Sequence, residues 1–142
     1  MILADSNIII DYFRSRNSEL SKKMDSLDVA VCGVIRTELL HGARDDTEIN
    51  NILEALNTFD NLPSDEYDWD GIGFMLQTMR SHGYSFPLAD AIIAFTAIKY
   101  DIPLWTGDKH FKFIQTFYPE LKLYGERKEE INADWNKHFS CN

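Results

Sequence analysis

Cysteine is nearly absent from this chain. Cys32 sits within an apolar run and Cys141 next to the end, and the two form neither a disulfide framework nor a zinc-ligand spacing. Such usage fits a reducing compartment. Long apolar runs are missing as well, since no stretch approaches the roughly 20 apolar residues of a membrane span. No basic segment precedes the first apolar residues, and Asp5 and Asp11 interrupt what a secretory signal core would need. The expectation is a soluble, cytoplasmic protein. No linker rich in proline, glycine or serine divides the sequence, and neither repeats nor low-complexity segments occur. Catalysis by a serine or cysteine nucleophile has no supporting triad motif.

Positive charge is missing from the middle of the chain. Between Arg44 and Arg80 there is no Lys or Arg, while nine acids run from Asp45 to Asp70. The other 14 acids equal the 14 bases in number, so this interval carries the whole net charge of −9. An acidic balance confined to one interval argues little against a nucleic-acid substrate elsewhere on the molecule. The interval itself reads either as a solvated face or as a docking surface for a basic partner.

What remains is an ordinary globular composition, 44% hydrophobic and 13% aromatic over 142 residues, which suits one domain with a substantial core. Short apolar strands alternate with amphipathic helices. Ile2 to Ala4, Val29 to Cys32, Phe59 to Leu62, Pro103 to Thr106 and Leu121 to Tyr124 read as strands. This alternation predicts right-handed βαβ units, an α/β fold with a mostly parallel sheet covered on both faces. Asp65 is placed to cap a helix that turns Trp69, Ile72, Leu76 and Met79 inward and stops at Gly83, with Gly71 and Gly73 closely packed. Leu88 to Tyr100 is apolar nearly all round and predicts a buried central helix. Phe74, Phe95 and Trp105 read as core aromatics. The domain is drawn over 1–124. A charged tail over 125–142, with Trp135 and Phe139 as anchors, belongs to the same unit and reads as a short helix or as a partly disordered end.

Four carboxylates stand where carboxylates are costly. Asp5 closes the first apolar run, Glu38 and Asp90 fall on the inward stripes of two helices, and Asp108 follows a strand. Two ionised carboxylates about 4 Å apart repel by roughly 4 kcal/mol at an effective dielectric near 20. The simplest common partner is a hard divalent cation, which prefers oxygen ligands and points to phosphate chemistry. Taken singly each acid also has a plainer reading: a helix cap for Asp5 and Asp90, a surface ion pair with Arg36 or Arg44 for Glu38. The four histidines, His41, His82, His110 and His138, lack an i, i+4 ligand pair, and His110 reads as structural.

Taken together the acids lie in four segments that resemble the motifs of a known family. ILADSNIIID from Ile2 looks like the opening motif of PIN-domain ribonucleases, in particular the VapC-type toxins. VIRTELLHG from Val34, FPLADAIIA from Phe86 and LWTGDKHF from Leu104 are similar to that family's second, third and fourth motifs. The resemblance runs in order from residue 2 to about residue 124 and implies a three-layer α/β/α sandwich around a five-stranded parallel sheet. It further implies a Mg²⁺- or Mn²⁺-dependent endoribonuclease, with Asp5, Glu38, Asp90 and Asp108 as the catalytic and metal-binding acids. A homodimer held off by a cognate antitoxin follows from the same likeness. Ser6 stands where the family more often has threonine and Gly107 where it has a polar residue, which makes Asp108 the least secure ligand. Ser6, Asn7 and Thr106 are candidates to orient carboxylates or waters, and Arg14, Arg16, Lys109 and Lys112 to contact RNA phosphates. Two alternatives stay open: a phosphatase or phosphotransferase using Asp5, and a non-catalytic PIN-like binding module.

Overall fold

The structure is a computed structural model that describes residues 1–15 and 17–125. The expectations for Arg16 and for the tail beyond Gly125 lie outside the described residues. The chain runs β1 (Ile2–Ala4), α1 (Ser6–Arg14), α2 (Ser18–Ser26), β2 (Val29–Cys32), α3 (Gly33–His41), α4 (Asp46–Leu56) and β3 (Asp60–Leu62). It continues through α5 (Glu66–Ser81), α6 (Leu88–Lys99), β4 (Leu104–Trp105) and α7 (His110–Phe117). Among the described residues no helix is long and apolar enough to cross a membrane.

The strands form one parallel sheet in the order β3-β2-β1-β4. Leu3 pairs with Ala30 on one side and Leu104 on the other, and all three are fully buried, as the continuous apolar runs of these strands require. The sheet has four strands among the described residues, where five were expected. Leu121 to Tyr124 is reduced to a single parallel bridge between Leu123 and Leu104. Two backbone bonds flank it, Leu104 N–H to the Lys122 carbonyl and Tyr124 N–H to the Leu104 carbonyl, each 2.8 Å. With only two residues in β4, the edge offers too little backbone to extend the ladder.

Helix boundaries follow their capping signals. Asp65 caps α5 through a reciprocal box with Asp68, the side chain of each accepting the backbone N–H of the other at 2.9 Å. Asp68 in turn meets Lys99 Nζ, tying α5 to α6, and the ammonium holds the Asp68 carboxyl below its ordinary range. Gly71 lies against Phe95, where an added Cβ would come within 2.6 Å of the ring, while Gly73 has open space around it. The inward stripe of α5 is Ile72, Met75 and Met79. Trp69, expected inward, is 51% exposed, and Phe74, expected in the core, is 72% exposed. Both lie off the side of α5 that packs on α6, whereas Trp105 is buried as expected.

Candidate active site

From β1 the chain moves to β2 and β3 on one side and returns to β4 on the other, so strand order reverses between β1 and β4. In open parallel sheets that reversal opens a crevice beyond the C-terminal strand ends. Asp5 follows β1 there, and Thr106, Gly107 and Asp108 follow β4. Asp5 N–H donates to the Trp105 carbonyl at 2.9 Å, which fixes the two strand ends side by side.

Asp5 is only 6% exposed and both of its oxygens are engaged. Oδ1 accepts the Ser6 N–H at 2.8 Å as the cap of α1, and Oδ2 accepts the Thr106 hydroxyl at 2.7 Å. The cap role and the crevice position therefore coexist in one residue. Thr106 Oγ1 also accepts the Asp108 N–H at 3.0 Å, so one hydroxyl joins the two strand-end acids. Asn7 Oδ1 accepts the Gly107 N–H at a long 3.5 Å across the same gap.

Glu38, on α3, and Asp90, in the first turn of α6, approach from helices that pack on each other. Asp90 makes no cap, because that position is held by Pro87. Three of the acids are held above the ordinary carboxylate range, in each case chiefly by burial. Repulsion adds to it: Asp108 raises Asp5 and Asp90, Asp5 and Asp90 raise Glu38, and Asp5 further raises Asp90. Each of these acids thus lies within electrostatic reach of another, and an oxygen of Asp90 lies within 4.8 Å of one of Asp108. Glu38 Oε1 is buried without a hydrogen-bond partner. A crowded oxygen set with an orphaned buried carboxylate oxygen fits a hard divalent cation.

His110 was read from the sequence as structural. Its ring stands at the crevice, with Nδ1 3.6 Å from both Asp90 Oδ2 and Asp108 Oδ1. Donor atoms of Asp90, Asp108 and His110 all lie within 4.8 Å of one another. The signal in the sequence was the short spacing from Asp108 to His110, which the turn closed by the His110 N–H to Asp108 Oδ1 bond folds into a pair.

The basic residues divide. Arg14 is engaged by Glu48 at 2.6 Å and by the Gly42 carbonyl at 3.1 Å. Lys109 and Lys112 border a cleft of 210 Å³ that also takes in Thr106, Gly107, Asp108 and Tyr124. Cys32 is buried, and burial pushes its thiol up, away from nucleophilic use.

The chain and its fold are similar to known proteins. The family model described as the PIN domain matches residues 2–115. Ribonuclease VapC1 of Methanocaldococcus jannaschii is 32% identical over 127 residues, covering 87% of this chain and 86% of the relative. Among solved structures, FitAcB from Neisseria gonorrhoeae superposes with a TM-score of 0.68 at 25% identity, covering 88% of this chain and 97% of that one. VapBC2 from Rickettsia felis, bound to a DNA fragment from their promoter, gives a TM-score of 0.73 at 20% identity over 87% of this chain and 97% of that one. A family match spanning most of the chain, a relative 32% identical over 127 residues and the shared fold together place this chain in the PIN-domain family.

Proposed function

We propose that this protein is a metal-dependent endoribonuclease, the toxin of a toxin-antitoxin pair. The observation that supports the reading is that Asp5 and Asp108 follow two paired strand ends while α3 and α6, which pack on each other, carry Glu38 and Asp90. The likeness to a named ribonuclease and to the VapBC2 and FitAcB structures supports it. Asp5, Asp90 and Asp108 would hold the ion, and Glu38 Oε1 offers a fourth oxygen. A bound Mg²⁺ or Mn²⁺ supplies the charge that offsets the phosphodiester and lowers the pKa of an attacking water.

The chain's own residues do the rest. Thr106 holds Asp5 and the backbone of Asp108 in register, so both carboxylates are pre-positioned. Lys109 and Lys112 line a cleft beside Asp108, where their charge would meet a substrate backbone. Burial of Asp5 and Asp90 lowers the local dielectric and strengthens every charge interaction at the reacting centre.

The phosphotransferase alternative requires Asp5 to attack phosphorus, which its two accepted hydrogen bonds would orient without preventing. Asn7 stands two residues on, where enzymes of that kind usually carry a second aspartate. For the assembled protein we propose a cytoplasmic homodimer inhibited by an antitoxin, one of whose arginines could take the place of the cation among the acids. Incubation of the purified chain with structured and single-stranded RNAs, with Mg²⁺ or Mn²⁺ and then with chelator, tests the activity. Cleavage that survives in the double variant Asp5→Asn, Asp90→Asn would exclude the site. Metal binding with no cleavage across a broad RNA panel would favour the binding module.

A further inference from the structure

We propose that His110 is a nitrogen ligand of the crevice, giving a mixed oxygen and nitrogen donor set that favours Mn²⁺ or a later transition metal over Mg²⁺. The proposal rests on the metal-dependent reading above and adds a donor that the four-acid motif set does not contain.

The geometry around the ring points to coordination. At 3.6 Å, Nδ1 stands beyond ordinary hydrogen-bond length from the Asp90 and Asp108 oxygens but within ion-pairing reach of both, so the ring is drawn to the two carboxylates. Two ligands each about 2.1 Å from one ion stand about 3 Å apart when adjacent and about 4 Å apart when opposite. The distances of the three side chains, all within 4.8 Å, are those of groups that close slightly onto a shared centre. The His110 side chain is 59% exposed, so the ring is free of the core and open at the crevice.

The local backbone holds the donors together. His110 N–H donates to Asp108 Oδ1 at 2.9 Å, so the start of α7 presents carboxylate and imidazole as one unit. Asp90 meets this unit from α6, which packs on α7. Mg²⁺ takes oxygen ligands almost exclusively, whereas imidazole nitrogen suits the borderline transition metals. A ligand nitrogen therefore shifts preference away from Mg²⁺ without altering the acids.

Pulsed electron paramagnetic resonance on the full-length protein loaded with Mn²⁺ alone tests the assignment. The wild type is expected to show ¹⁴N coupling from a coordinated imidazole, lost in His110→Ala. Mn²⁺ affinity should fall at least about tenfold in that variant, while Mg²⁺ affinity, read by competition, changes less than about threefold. His110→Asp supplies an oxygen instead, and should restore metal binding with the preference turned toward Mg²⁺ and no ¹⁴N signal. Mn²⁺ bound by the wild type without ¹⁴N coupling, or equal losses for both ions in His110→Ala, would overturn the ligand role and leave the nuclease reading standing. A wild type that binds no Mn²⁺, and cuts RNA in chelator, would overturn both.

Discussion

Replacing Asp90 by asparagine should make the metal-free protein more stable while removing its activity. The Asp90 side chain is 16% exposed, and one of its oxygens lies within 4.8 Å of an Asp108 oxygen. Two unit charges at that separation repel by roughly 3 kcal/mol at an effective dielectric near 20. The Asp108 side chain is 38% exposed, so solvent and salt reduce the repulsion to about 1 kcal/mol. The attraction to His110 that the variant also loses involves a still more exposed partner and is smaller. For a chain of this length, 1 kcal/mol corresponds to about 3 °C in Tm.

Thermal unfolding in chelator at neutral pH and physiological ionic strength should therefore place Asp90→Asn about 3 °C above wild type. With saturating Mn²⁺ the order reverses, because an ion bound only by the folded state stabilises wild type in proportion to the logarithm of its concentration. The pH dependence carries the sign. Burial and Asp108 raise the folded-state pKa of Asp90, so the folded chain binds more protons than the unfolded one above the ordinary carboxylate range. Stability from this group is fully present below that range and is lost as pH rises through the raised folded value. The advantage of Asp90→Asn should accordingly shrink toward zero by about pH 3. A variant that melts below wild type in chelator at neutral pH, or an advantage that persists in acid, would refute the shared-crevice repulsion.

Thr106→Val removes the hydroxyl shared by Asp5 and Asp108 and should lower single-turnover RNA cleavage by about 10- to 100-fold, while Thr106→Ser keeps most of it. Gly71→Ala drives a methyl group into Phe95 and should cost about 1–2 kcal/mol in urea unfolding, net of its helix-propensity gain. Gly73→Ala, with open space around it, should instead stabilise by about 0.5–1 kcal/mol. Glu48, held down to about 2 chiefly by Arg14, contributes stability above the ordinary glutamate range that is lost as pH falls through its folded value. Glu48→Gln should therefore melt below wild type at neutral pH, with the difference closing near pH 2 in a series of thermal melts.

Much of the scaffold was legible because local signals and global needs agree. Continuous apolar runs at Ile2–Ala4 and Val29–Cys32 read as strands buried on both faces, and Asp65 as the cap of a helix. The same agreement put Asp5 and Asp108 beyond strand ends. Where an element depends on its neighbour, the sequence misled. Leu121 to Tyr124 has a strand's composition, but two-residue β4 gives it only one bridge. Helical spacing likewise could not say that Trp69 lies off the packed side of α5 while Met75 lies on it.

Sequence alone determined which residue types stand at the ends of elements: acids after two strands, within one helix and in the first turn of another. Their meeting was decided by the tertiary structure, because β4 pairs with β1 and brings residues about a hundred positions apart into hydrogen-bond contact. His110 shows the same division. Its spacing from Asp108 is fixed by the chain, but its role depends on Asp90, which reaches it only because α6 packs against α7. Charge and distance act through space, and only the packed fold sets the distance.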